Sequence, residues 1–245
     1  MNWNQWLIVI PARLQSSRLP EKPLQDLCGK ALIVRVYERL QSLKDLGAQI
    51  VVATDSHKIL DVCKKENIEA MMTDEKHQSG TDRVHELSQS FDHSYILNVQ
   101  GDEPFVNLED LERLTQLMES QNHDGMGTLI YKNRDLEEFQ NPNVVKAVIG
   151  EHNRALYFSR APIPYHREQE FTSFWQHIGI YAYSKNALEA FCKLPPHRLE
   201  ELEKLEQLRA LGNGIEILAM EAKETSLGID TPEDLEKARK LFSVS

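Results

Sequence analysis

No apolar run in the 245 residues is long enough to cross a membrane. The longest, Trp6 to Ala12, already contains Pro11, whereas a spanning helix needs roughly 20 apolar residues. The N-terminus has no basic segment followed by an apolar stretch and a small-residue cleavage site, so the protein is expected to stay in the cytoplasm. Cysteine is scarce: Cys28, Cys63 and Cys192 are odd in number and lack CxxC or CxxH spacing, which excludes a disulfide framework and a thiolate zinc site. The nine histidines form no HxH or HxxxH pair. Only 11 glycines and 10 prolines occur, with no repeat, which excludes collagen-like and low-complexity chains. Cations are in deficit, 28 Lys and Arg against 38 Asp and Glu, for a net charge of −10. A general attraction to phosphate backbones is therefore absent, nucleic acid is not an expected partner, and the ligand is expected to be small.

What is present is a globular balance, 41% hydrophobic and 27% charged. Leu7 to Ile10 is a short apolar, β-branched run ending at Pro11, the pattern of a strand buried on both faces of a parallel sheet. Apolar residues then recur at helical spacing from Ala31 to Leu43, Gly47 stops the helix, and Ile50 to Ala53 forms a second strand. The unit repeats with helices near 56–66 and 82–90 and strands near 69–72 and 95–99. This alternation predicts a mostly parallel α/β sheet with right-handed crossovers. After a helix over 108–120 the pattern changes to strands near 126–131, 144–149, 155–158 and 178–183 without crossover helices. Residues 141–215 read as a smaller mixed α/β lobe ending in one helix from Arg198 to Leu211. Residues 1–140 and 216–245 read as the core, closed by a helix that Thr231 caps and Pro232 begins.

Ligands of open α/β sheets bind beyond the carboxyl ends of strands, so residues that follow strand runs are the candidates. After the first strand come Pro11, Ala12, Arg13, Ser16, Arg18 and Lys22, cations and small hydroxyls suited to a phosphate cradle. The segment fits neither the P-loop nor the G-x-G-x-x-G pattern, and a solvated basic loop has the same composition. After the second strand, Ala53-Thr54-Asp55 either faces a ligand or caps the next helix. The polar turn Gln78-Ser79-Gly80-Thr81, followed by Asp82 and Arg83, is equally a ligand turn or a plain helix start with Thr81 or Asp82 as its N-cap. After the central strand come Gln100, Gly101 and Asp102. A carboxylate there is costly without a partner, and Mg²⁺ bridging it to phosphate oxygens resolves the cost, with Asp230 as a second ligand. Asp230 alone also reads as an acidic charge at a helix start.

Taken together, Ile10 to Arg13, Ser17 to Pro20, Lys22 to Leu24, Ala53 to Asp55, Gln78 to Thr81 and Asn98 to Pro104 resemble the 3-deoxy-manno-octulosonate cytidylyltransferase family. The likeness continues nearly end to end, through Tyr157 to Ala161, His177 to Tyr181, Leu205 to Arg209 and Gly228 to Leu235. It implies a Rossmann-like nucleotidyltransferase sheet and the Mg²⁺-dependent reaction of CTP with the acid sugar Kdo, giving CMP-Kdo and diphosphate for lipopolysaccharide assembly. It also implies a homodimer formed through the smaller lobe. By resemblance Arg13, Ser16, Arg18 and Lys22 hold the triphosphate, Asp102 and Asp230 ligate Mg²⁺, and Arg13, Lys22, Asp102 and Asp230 carry the catalysis. Pro11, Ala12, Ala53, Thr54, Asp55, Gln78, Ser79, Gly80, Thr81, Arg83 and Gln100 complete the CTP site. Arg160 takes the sugar carboxylate, and His177, Tyr181, Glu206 and Gln207 meet its hydroxyls. On pattern alone His177 is a hydrogen-bonded strand residue, and Glu206 and Gln207 belong to a solvated charged helix. Glu21 and Gln176 depart from the family pattern, which has a small residue at the first position and a basic one at the second. A transferase for a related acid sugar (8-amino-Kdo or a sialic acid) and a noncatalytic nucleotide-binding module are the competing readings. A D-x-D glycosyltransferase lacks its motif.

Overall fold

In the computed structural model of the chain, the described residues are 2–77, 79–167 and 170–243. They form two compact units: one runs to Leu108 and resumes at Ser226, and the other is Glu109–Thr225.

The first unit contains β1 (Trp6–Ala12), α1 (Leu32–Asp45), β2 (Gln49–Thr54), α2 (His57–Lys65), β3 (Ala70–Met72), α3 (Gly80–Ser88), β4 (Tyr95–Asn98) and, after the return, α9 (Pro232–Phe242). Its strands run in the order β3-β2-β1-β4, all parallel, with Ile10 opposite Val52 and Val9 opposite Asn98. Every residue of β1 is buried, as an apolar run covered on both faces requires, and each such Leu, Ile or Val contributes about 1.5–3 kcal/mol. The chain steps outward from β1 to β2 and β3, then returns to place β4 on the other side of β1. That reversal makes the crevice beyond the carboxyl ends of β1 and β4 the binding position of this sheet.

β1 continues through Pro11 rather than ending at it. Val9 O accepts from Val99 N at 3.1 Å, so the odd residues of β1 turn their backbone groups toward β4. Pairing with β4 stops at Asn98, so Pro11 has no ladder partner on that side and its missing N–H costs nothing. Gly101 packs against the same point: a Cβ there would lie 2.8 Å from Pro11 O.

The second unit contains α4 (Leu108–Ser120), β5 (Met126–Asn133), α5 (Leu136–Gln140), β6 (Lys146–Ile149), β7 (Ala155–Ser159), β8 (Phe174–Ser184), α6 (Lys185–Lys193), α7 (Arg198–Glu203), α8 (Gln207–Gly212) and β9 (Ile217–Glu221). β5 pairs parallel with β9 and antiparallel with β8, while β6 pairs antiparallel with β7 and β8. Because β5 and β9 hydrogen-bond to each other, residues 109–140 and 216–225 fall in this unit, which is larger than the expected 141–215 lobe. α5 and α6 were not expected from the sequence pattern. The expected helix from Arg198 to Leu211 is two helices, broken at Lys204, whose φ is 53°.

Candidate active site

Beyond Ala12 the chain leaves the sheet, and a chain of polar contacts fixes where it goes. Leu14 N donates to Asp55 Oδ1 at 3.2 Å, and Asp55 Oδ2 accepts from Arg83 at 2.9 Å. A second amino group of Arg83 donates to Thr73 Oγ1. The N-cap of α2 is Ser56, not Asp55, and Thr54 Oγ1 accepts from Ser56 N at 3.2 Å. Asp55 and Arg83 thus brace the loop. Arg83 has no exposed surface, and its two terminal amino groups are held by Asp55 and Thr73.

The loop then turns into a 3-10 segment over Lys22–Leu24, with Pro23 fixing its second position. Lys22 Nζ donates to Asp102 Oδ2 at 2.5 Å and to Asp230 Oδ1 at 2.9 Å. Arg18 approaches Asp230 Oδ2 at 3.0 Å from the solvent side. Burial alone would lower the Lys22 pKa, but the two carboxylates outweigh it and hold the ammonium above its ordinary value. The segments that carry Asp102 and Asp230 are joined by a backbone bond as well, since Ile229 N donates to Asp102 O at 2.9 Å. Asp230 does not serve as the helix cap. Thr231 and Asp234 form that capping box, with Asp234 Oδ2 accepting from Thr231 N and Oγ1, which leaves the Asp230 carboxylate for Lys22 and Arg18.

Glu103, beside Asp102, was not singled out from the sequence. Burial, with Asp102 and Asp230 adding to it, pushes its carboxyl up to about 7. Glu21 lies outside the cluster: it is exposed, with its carboxylate on Lys58 Nζ at 2.5 Å.

A cavity of about 320 Å³ opens over this cluster, lined by Pro11, Ala12, Arg13, Ser16, Arg18, Lys22, Gly80, Gln100, Asp102 and Asp230. A larger one, about 970 Å³, adjoins Arg13 and Ser16 and runs past Asp55 to Glu75 and His77. Ser79 caps α3, accepting from Asp82 N at 3.0 Å, so the turn is a helix start, but its cap is Ser79 rather than the expected Thr81 or Asp82. Gly80 lies against Pro11 and Gln100, whereas Ala53 and Thr81 are buried. Gln78 lies outside the described residues.

The remaining candidates lie in the second unit. A β-bulge interrupts the pairing of β5 with β8, where Leu129 faces Ile178 but Thr128 faces Tyr181. It brings the rings of His177 and Tyr181 to 5.5 Å, with Phe158 edge-on to His177 at 4.9 Å. Burial pushes the His177 pKa down to about 3, so the ring is neutral. Burial, with the charge of Glu206 adding to it, raises that of Tyr181. Gln176 points to the opposite face, where its Oε1 accepts from Asn133 Nδ2 at 2.8 Å.

Two residues beyond Phe158, Arg160 reaches the α7–α8 break: Nε donates to Glu203 O at 2.7 Å and a terminal amino group to Pro142 O at 2.9 Å. Glu203 in turn accepts from Ser159 Oγ at 2.6 Å and Arg160 N at 2.9 Å. Lys146, fully buried and missed from the sequence, donates to the carbonyls of Asn141, Val144 and Arg160 at 2.9, 2.6 and 2.6 Å. The break starts α8 at Gln207, so Glu206 and Gln207 are not on a solvated helix face: Gln207 is 5% exposed. Its Nε2 is buried with no hydrogen-bond partner among the described residues.

A parallel sheet with a switch point, a cationic loop at that point and two carboxylates sharing one ammonium define an α/β protein of the nucleotidyltransferase class. The chain belongs to the cytidylyltransferase family, whose model it matches over residues 7–217. It is 44% identical to a 3-deoxy-manno-octulosonate cytidylyltransferase of Wolinella succinogenes, over 98% of this chain and 100% of that one. It is 45% identical to the enzyme of the same name from Francisella tularensis subsp. tularensis, over 97% and 98% of the two chains. Among solved structures it is similar to a CMP:2-keto-3-deoxy-manno-octonic acid synthetase complexed with CTP, with a TM-score of 0.92, 40% identity and 98% coverage of both chains.

Proposed function

We propose that this chain is a 3-deoxy-manno-octulosonate cytidylyltransferase, joining CTP to Kdo to give CMP-Kdo and diphosphate, the activated sugar for lipopolysaccharide assembly. The anomeric hydroxyl oxygen of the sugar bonds to the α-phosphorus of CTP in line. The bond from that phosphorus to the oxygen bridging it to the β-phosphate breaks, diphosphate leaves, and the hydroxyl proton is released to solvent. No protein nucleophile takes part, and the protein acts by positioning and by neutralising charge on the phosphate oxygens.

Arg13, Arg18 and Lys22, with Ser16, hold the triphosphate at the end of β1. Gly80 and Gln100 line the same cavity and would meet the nucleoside. Lys22 supplies a point charge already oriented by two acids, available to the phosphate oxygens as charge builds on them. The observation that carries this reading is that Asp102 and Asp230, far apart in the sequence, converge on one cation. Among the described residues no group of three or more His, Cys, Asp or Glu is placed to hold a metal, but Mg²⁺ takes only one or two protein carboxylates when phosphate oxygens complete its shell. Asp102 and Asp230 would hold it, and its chemistry would be neutralisation and orientation of the triphosphate.

On the sugar side, the spare N–H groups of the Arg160 fork suit a carboxylate. His177, Tyr181, Glu206 and Gln207 suit hydroxyls, and the buried Gln207 Nε2 supports this. The protein is further read as a cytoplasmic homodimer joined through the second unit, where Leu156 and Tyr165 are exposed apolar side chains. A molar mass of one chain by light scattering would refute the dimer.

The test of the whole reading is diphosphate release from CTP and Mg²⁺ with a panel of acid sugars. Kdo is expected to be the preferred acceptor, and Asp102→Asn and Asp230→Asn are each expected to abolish turnover while keeping the wild-type circular dichroism spectrum. Preference for a sialic acid or 8-amino-Kdo refutes the sugar assignment, CTP binding without turnover on any sugar refutes the enzyme, and full activity in both variants refutes the metal assignment.

A further inference from the structure

The bulge that brings His177 and Tyr181 together also decides which nitrogen of His177 carries its proton. Thr128 is wholly buried at that bulge, and its Oγ1 has three polar neighbours: Ile180 O at 2.8 Å, Ile178 O at 3.2 Å and His177 Nε2 at 3.0 Å. A hydroxyl has one proton and two lone pairs, while a carbonyl oxygen only accepts. Both carbonyls can only accept, so the Thr128 proton goes to one of them, Ile180 O being the nearer. What Thr128 then turns to His177 is a lone pair, so Nε2 has to be the nitrogen that bears hydrogen. The ring is neutral and has only one such proton. Nδ1 is left as an acceptor; it makes no hydrogen bond among the described residues, and His177 keeps part of its surface open. The rings of Phe158 and Tyr181 pack against it at 4.9 and 5.5 Å.

We propose that Thr128 is a positioning residue that locks His177 in the Nε2–H tautomer, so that Nδ1 presents a lone pair to a hydroxyl donor of the acid sugar. This rests on the assignment of His177 to the sugar, and it specifies the contact: the sugar donates, the ring accepts. A sugar bearing an ether or a deoxy position in place of that hydroxyl loses the contact, because the ring has no proton to offer there.

Two measurements separate the parts. Long-range ¹H–¹⁵N correlation spectra of ¹⁵N-histidine-labelled protein without ligand, with the His177 signals assigned by their loss in His177→Gln, read the tautomer directly. The wild type is expected to show hydrogen on Nε2 and a bare Nδ1, Thr128→Val to shift the ring toward the other tautomer or a mixture, and Thr128→Ser to restore it. Hydrogen on Nδ1 in the wild type, or an unchanged tautomer in Thr128→Val, overturns the proposal; the wild-type spectrum decides this even where Thr128→Val fails to fold. In steady-state kinetics Thr128→Val is expected to raise KM for the sugar about tenfold, the loss of one hydrogen bond at a buried site, with KM for CTP unchanged and with rescue by Thr128→Ser. A tautomer that shifts while KM for the sugar does not overturns the sugar contact of His177 and leaves the Thr128 lock standing. Equal losses for both substrates, without rescue, overturn the positioning role.

Discussion

Lys22 is the residue on which most of the candidate chemistry turns. Its ammonium is held between two carboxylates, and a lysine in that position contributes stability below its unfolded pKa that is lost as pH rises through the raised folded value. Lys22→Met is expected to lower diphosphate release by about 10²–10³-fold, the scale of removing one oriented charge from a transition state. Lys22→Arg is not expected to restore it, because a planar fork cannot reproduce a point charge set between two acids. His177 gives a pH signature of opposite direction. Its folded pKa, about 3, lies below the ordinary 6.5, so the unfolded chain takes up the proton first. The stability it contributes is complete above pH 6.5 and is lost as pH falls from there toward 3. Urea titrations at pH 7 and pH 5 are expected to differ by about 1 kcal/mol less in His177→Gln than in the wild type. Cys63 is buried and its thiol is pushed up to about 11, whereas Cys28 is exposed. A thiol reagent at pH 8 is expected to modify Cys28 in the native protein and Cys63 only in denaturant.

The elements show where local pattern and tertiary context part. Helical spacing and good helix formers run unbroken from Arg198 to Leu211, yet the helix stops at Glu203. Arg160 captures the Glu203 carbonyl and approaches that of Lys204, turning both out of the helical ladder, and Lys204 takes the left-handed conformation to let the chain restart. That restart buries Gln207, which no reading of the helix as one piece allows. Lys204→Val is expected to cost about 1–2 kcal/mol in chemical denaturation, because a β-branched side chain is strained at positive φ, while Lys204→Gly costs nothing there. The turn after β4 is the second such place. Gly101→Ala would put a methyl 2.8 Å from Pro11 O, a backbone atom that cannot move aside. A loss of about 1–3 kcal/mol is expected, with weaker CTP binding, since the same turn carries Gln100 and Asp102.

At the scale of the molecule, the Lys22 cluster draws on residues 13–22, 102 and 230, which only the β3-β2-β1-β4 order and the return of the chain through Ser226 bring into one unit. A ligand that bridges them stabilises the folded state by mass action. CTP with Mg²⁺ at about a hundred times its dissociation constant is expected to add roughly 2.7 kcal/mol, read as a rise in Tm that is lost in Asp230→Asn. The sequence by itself determined the parallel α/β sheet, because buried β-branched runs alternating with amphipathic helices have few other ways to bury their apolar faces. It also marked the loops at 13–22, 98–104 and 228–232, because strand ends and helix starts carry readable punctuation. Tertiary structure alone decided that Asp55 and Arg83 brace the loop, that β5 and β9 group with β8, that α7 and α8 are separate, and that Thr128 meets His177. Each of those depends on a hydrogen bond between residues dozens of positions apart, and such a bond leaves no periodic trace in the chain for a local reading to find.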